Sequence, residues 1–227
     1  IKSLGQIKSA NVTRSNSQSP CNAEDHQQFR SLLGALAYTA ITQLWAMVYI
    51  VALQRVAAAP KHEHVTRLNK LVRLVKTQSA ETVFRHMTCL RKVTVHSDAA
   101  FRKEDERGYA MRGAAYMRNG RAGNELTVHL VICIAKSQAR VTRSTYAAEL
   151  LAAASSIDHS TTVLITLQEF TTGPLAAHLL KEMRQNGGYV YQLELCVDAR
   201  SVFDSLVAIM VKTPSEASLH GHLLWLR

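Results

Sequence analysis

At Val93 the hydrophobic period of the chain changes from about 3.6 residues to two, and that switch restricts the folds open to it more than any other feature. In Val93-Thr94-Val95-His96-Ser97-Asp98-Ala99-Ala100-Phe101 alternation assigns Val93, Val95, Ser97 and Ala99 to one face and Thr94, His96, Asp98 and Ala100 to the other. A second alternating run follows from Gly108 to Met117. A third, Leu126, Val128, Leu130, Ile132 and Ile134, lies beyond the turn-forming Asn119-Gly120-Arg121-Ala122-Gly123-Asn124. Arg102 to Arg107 is a charged turn between the first two runs, so three consecutive antiparallel strands, a meander, are predicted.

The chain then becomes helical. Ser144 is placed to cap a helix over Tyr146 to Ile157, in which Ala147, Ala148, Ala152, Ala153 and Ala154 surround Leu150 and Leu151 and permit close approach to a sheet. After a looser stretch a helix is expected over Pro174 to Arg184, closed by Asn186-Gly187-Gly188. A fourth strand over Val190 to Val197 ends at Asp198, and a further helix spans Ser201 to Met210 before Pro214 breaks the pattern. The fold class is therefore α/β, with a mixed sheet.

Before Val93 the pattern is helical. Residues 1 to 25, rich in Ser, Asn, Gln and Lys, read as a polar linker or arm; residues 26 to 90 form a helical region, and 91 to 227 the α/β domain. Between Leu32 and Leu53 the clearly polar side chains are Thr39, Thr42 and Gln43. That run is long enough to raise a membrane span, but polar residues near its middle and the lack of an aromatic belt at both ends favour a buried helix pair broken near Thr42-Gln43. No membrane partner is expected. Past Pro60, Lys61 to Lys76 is amphipathic, with Leu68, Leu71, Val72 and Val75 on one side and Arg67, Lys70, Arg73 and Lys76 spread over the other. Those four cations are candidate phosphate-backbone contacts, and a merely solvated basic face is the plainer alternative. In His62-Glu63-His64 the two imidazoles do not share a helix face, which argues against a metal site there.

The net charge of +10 is unevenly spread. Residues 1 to 92 hold 13 Lys+Arg against 4 Asp+Glu, and residues 93 to 227 hold 14 against 13. A basic segment beside a nearly neutral, carboxylate-bearing one suits a polyanionic partner. Cys21, Cys89, Cys133 and Cys196 are too scattered for a zinc site and read as reduced thiols of an intracellular protein.

An aspartate is unusual in a strand. Taken alone, Asp98 reads as the start of a turn, Glu149 as a surface helical residue and Asp198 as a helix cap. Topology joins them. If the fourth strand pairs in parallel with the first, Asp98 and Asp198 both stand at carboxyl ends of strands, beside one crevice, and a helix crossing that sheet can bring Glu149 between them. Three carboxylates in one small volume call for cations, and hard oxygen ligands select Mg²⁺ or Mn²⁺. Two such ions are the usual apparatus of phosphodiester hydrolysis.

The chain resembles the C-terminal part of a copia-type retrotransposon polyprotein: the end of the reverse transcriptase and the ribonuclease H domain after it. The segments that carry the resemblance are Phe29-Arg30-Ser31-Leu32-Leu33-Gly34-Ala35-Leu36-Ala37-Tyr38, Leu53-Gln54-Arg55 with Pro60, and Arg67 to Lys76 in the first part. In the second part they are Ser97-Asp98-Ala99-Ala100-Phe101, Lys136-Ser137-Gln138, Ser144 through Ala148-Glu149-Leu150, and Val197-Asp198-Ala199-Arg200-Ser201. Together they span residues 26 to 227 in the family's order.

The resemblance implies a ribonuclease H-like fold behind a helical connection region. It also implies that Asp98, Glu149 and Asp198 are the first three carboxylates of a site cutting the RNA strand of RNA–DNA hybrids in cytoplasmic particles, with an upstream polymerase domain as partner. RNA would be told from DNA by its 2′-hydroxyl and by hybrid shape. Two departures stand out: Gln43-Leu44-Trp45 replaces the family's arginine-proline-aspartate turn, and the fourth acidic ligand, with its fifth strand, is expected beyond Arg227. A non-catalytic nucleic-acid-binding remnant of such a polyprotein is the alternative, and a helical membrane-associated protein the more distant one.

Overall fold

The computed structural model describes residues 5–7, 16–40, 42–78, 83–101 and 109–227. The chain divides into two compact units, residues 1–83 and 84–227. The boundary thus falls before Phe84 rather than near residue 90.

The first unit is helical. Helix α1 (Ala23–Thr39) begins where the Asn22 side chain accepts the Asp25 N–H at 2.7 Å, satisfying one of the amides that a helix start leaves unpaired. Phe29, Leu33 and Leu36 of α1 point into the core. The apolar run does break where expected: α1 stops at Thr39, a 3₁₀ turn spans Leu44–Ala46, and α2 covers Met47–Gln54. Gln43 is buried at the break, where its side-chain oxygen accepts the Trp45 indole N–H at 2.8 Å. Helix α3 (His62–Thr77) buries Leu68, Leu71, Val72 and Val75 as the periodicity requires, together with Val65.

The described residues of the polar arm, in contrast, touch this core. Ile7 is 6% exposed, and Asn69 of α3 both donates to its carbonyl and accepts its N–H, at 2.9 and 3.0 Å. Pro20 bridges to Lys61, and α1 starts at Ala23, within the stretch assigned to the arm. One apolar side chain with a two-point backbone clamp outweighs the polar composition around it.

In the second unit the sheet order is β3-β2-β1-β4, built from β1 (Thr88–Ala100), β2 (Tyr109–Ala122), β3 (Glu125–Val141) and β4 (Gln192–Val197). The first three strands form the expected meander, and β4 pairs with β1 in parallel from Lys92↔Gln192 to Ser97↔Val197. The charged turn assigned to Arg102–Arg107 lies outside the described residues. β2 runs five residues beyond its expected end, and the hairpin turn shrinks to Gly123-Asn124, with Gly123 at φ +62°.

The strict alternation of β3 is interrupted. Tyr116 faces Ile132 but Met117 faces Leu130, so Val131 is an extra residue. Because side chains alternate with period two, this bulge turns Leu126, Val128 and Leu130 to the face opposite Ile132 and Ile134. Leu126 and Val128 are consequently exposed.

Helix α4 (Thr145–Thr172) lies across β1 and β2 and is far longer than its sequence-based bounds. The stretch after Ile157 is rich in serine and threonine, which compete with the helical backbone in the unfolded chain. Here Ser156, Ser160, Thr166, Thr171 and Thr172 each donate to the carbonyl four residues back, while Leu164 and Ile165 are buried. Packing against the sheet decides the outcome. By length and composition α4 is the helix among the described residues that is apolar enough to cross a membrane, and its Ala147, Ala148, Leu150, Ala152 and Ala153 are fully buried.

Helix α5 (Ala177–Asn186) ends at Gly187, as the glycine pair foretold, and α6 (Arg200–Val207) follows β4. Helix α7 (His220–Leu226) was not anticipated, because seven residues after Pro214 show too little period. Its Leu223, with Leu219, packs against Leu150 of α4 and Val202 of α6.

Candidate metal centre

Asp98 sits inside β1, paired across to Gly113 of β2, and is not a turn residue. Glycine at that register position puts no side chain beside the carboxylate. The buried face of β1 is Val93, Val95, Ser97 and Ala99, as alternation demanded. Asp198 directly follows β4; Ala199, not Asp198, occupies the cap position of α6, and no side chain caps that helix. Glu149 lies in the second turn of α4, whose start is fixed by Ser144 accepting the Ala147 N–H at 3.1 Å. Glu149 is 6% exposed, so it is no surface glutamate.

These three side chains, from two neighbouring parallel strands and the helix that crosses them, place one carboxylate oxygen each within 4.8 Å of one another. Small side chains make the approach possible. Ala148 and Ala152 on either side of Glu149 pack against Ala99 and Ala110, so the helix axis comes close enough for a glutamate to reach the strand ends. Further along, the Ser97 and Ser156 hydroxyls are hydrogen-bonded at 3.1 Å, and Tyr116 Oη donates to the Ser156 carbonyl at 3.0 Å. These buried bonds fix the helix on the sheet, and burial pushes the Tyr116 phenol up to about 12.

Electrostatically the site is an acidic cluster with one reluctant member. Burial first, and then the Asp98 and Asp198 charges, push the Glu149 carboxyl up to about 7 against the opposing pull of a hydrogen bond from the Ala99 backbone. Near neutral pH Glu149 therefore shares its position between a proton and whatever cation can replace it. Asp98 and Asp198 are exposed, Glu149 is buried, and all three offer hard oxygen atoms. The donor set is one that could hold a metal ion.

The other carboxylate of β4, Glu194, is committed elsewhere. It pairs with Lys92 at 2.9 Å and accepts from Thr94 at 3.2 Å, which holds its carboxyl below the ordinary range. The four candidate phosphate contacts, Arg67, Lys70, Arg73 and Lys76, are all exposed on α3 of the first unit, with Arg67 also 3.4 Å from Glu63. His64 of the same helix accepts the Lys61 N–H at 2.9 Å through Nδ1 and serves its N-terminus.

Set against family models, curated proteins and solved structures, the chain finds no match. What it shows directly is an α/β unit with a four-stranded mixed sheet and a carboxylate triad able to hold a metal ion.

Proposed function

We propose that the second unit is a ribonuclease H-type endonuclease that uses Mg²⁺ or Mn²⁺ to hydrolyse the RNA strand of RNA–DNA hybrids. On this reading the chain is part of a copia-type retrotransposon polyprotein, behind its polymerase. The observation that carries the reading is the meeting of Asp98, Glu149 and Asp198 within 4.8 Å at the carboxyl ends of two adjacent parallel strands. Such strand ends are where open α/β sheets bind ligands.

Asp98, Glu149 and Asp198 would hold the ions, which supply Lewis-acid polarisation of the phosphodiester and a more acidic water. The residues themselves do the positioning. Asp98 and Asp198, exposed, present their oxygens outward to a bound strand. Glu149, buried and oriented by the Ala99 backbone, anchors the inner side and loses its proton as positive charge arrives. The basic α3 helix supplies sequence-independent grip on phosphates.

The test is cleavage of a labelled RNA–DNA hybrid by the purified chain in Mg²⁺ and in Mn²⁺, with calorimetric titration of the metal in parallel. Asp98→Asn is expected to abolish cleavage and to weaken metal binding by tenfold or more. Metal binding indifferent to Asp98→Asn would overturn the metal centre itself. Hybrid binding without cleavage, in either metal, would leave the non-catalytic binder as the function.

A further inference from the structure

A second site lies on the other flank of α4. Leu151, Ala154, Ser155 and Asp158 follow the i, i+3, i+4, i+7 spacing, whereas Glu149 is about 200° away from Leu151 around the helix. With β2, β3 and α7 this stripe bounds a groove of about 380 Å³, in the size range of small-molecule sites. Its polar lining is Arg112, Gln138, Arg140, Asp158 and His222, and the Trp225 indole forms one wall.

The groove contains unmet hydrogen-bonding demand. Gln138 is 6% exposed and donates to the Ala148 carbonyl at 2.7 Å, but its buried side-chain oxygen has no partner. The buried Nε of Arg112 also has none. A buried acceptor or donor left unsatisfied costs roughly 1–3 kcal/mol, which a ligand or water atom drawing either side chain into the groove would recover. Arg140 approaches only the His222 ring, at 3.5 Å, and forms no ion pair among the described residues.

From this set we infer that the groove binds a ribonucleoside monophosphate. Two guanidiniums without carboxylate partners match a phosphate, which arginine contacts bidentately. The Asp158 carboxylate matches a ribose diol, the unpaired Gln138 oxygen, once turned into the groove, an N–H of the base, and the half-exposed Trp225 ring its π-face. The site does not depend on the carboxylate centre and stands whether or not that centre cuts nucleic acid.

Calorimetry on the full chain in EDTA, with AMP, dAMP, adenosine and inorganic phosphate as probes, tests this independently of metal. AMP should bind saturably, and dAMP, adenosine and phosphate each at least several-fold more weakly. Arg140 is exposed, so Arg140→Gln leaves folding intact and should weaken AMP about tenfold, as should Trp225→Leu. Three outcomes would each overturn the inference: no saturable AMP binding, phosphate binding as tightly as AMP, or AMP affinity unchanged in both variants.

Discussion

Glu149 concentrates the chemistry of the second unit in one side chain. With its pKa pushed up to about 7 from 4.5, the folded metal-free chain binds a proton that the unfolded chain has released between those values. Stability is therefore expected to fall as pH rises through that window, and the penalty is fully present above 7. In EDTA at pH 8, Glu149→Gln should stabilise the fold by on the order of 2 kcal/mol, while near pH 4.5 the variant and the parent should unfold alike in urea. Saturating Mg²⁺ should reverse the order at pH 8, because only the parent gains from the ion, by roughly 2.7 kcal/mol at a hundred times Kd. A parent that is already the more stable of the two in EDTA at pH 8 would refute the account of Glu149 as a carboxylate held against its preference.

Among the elements, α4 does most to position the site, and the irregular start of β1 lies at the other end of the strand that carries Asp98. Arg91 has φ +51° and the β1–β2 register slips between Cys89 and Lys92, so the strands are pressed together beside that irregularity. A Cβ on Gly120 would stand 2.7 Å from the Thr88 carbonyl oxygen, a backbone atom with little freedom to retreat. Gly120→Ala is expected to cost about 1–3 kcal/mol in denaturant unfolding. Leu150 joins α4 to Val202, Leu219 and Leu223, and Leu150→Ala should cost about 2–5 kcal/mol. Truncating it should also raise amide exchange in α7 more than in β1, since α7 has few other apolar anchors. Strand β3 teaches a related lesson: its five alternating aliphatic residues look like one buried face, yet one extra residue, Val131, divides them between two.

For the whole molecule, the division of charge follows the division of structure only in part. Residues 1–83 carry 10 Lys+Arg against 4 Asp+Glu and residues 84–227 carry 17 against 13, so the cations most in excess for their unit's length lie in the first unit while the carboxylate triad lies in the second. If the first unit holds a polyanion through α3, replacing Arg67, Lys70, Arg73 and Lys76 by glutamine should weaken hybrid binding uniformly across sequences. The slope of log affinity against log salt should fall by roughly 0.9 for each phosphate that is no longer neutralised. An unchanged slope would make that face a solvated surface and nothing more.

Period and order alone were enough to establish the helical first part, the meander, the alternation that buries Val93, Val95, Ser97 and Ala99, and the three acidic residues worth bringing together. These features follow from backbone geometry, which repeats every 2 or 3.6 residues and leaves its mark on neighbours in sequence. Sequence could not show that residues 158–172 continue α4, that Ile7 belongs to a core, that a bulge turns half of β3 over, or that α7 closes a groove with Arg112, Gln138 and Arg140. Each of these depends on a partner distant in the chain. Only tertiary packing, by burying Glu149 between two aspartates, turned three separate carboxylates into one site with a shared charge.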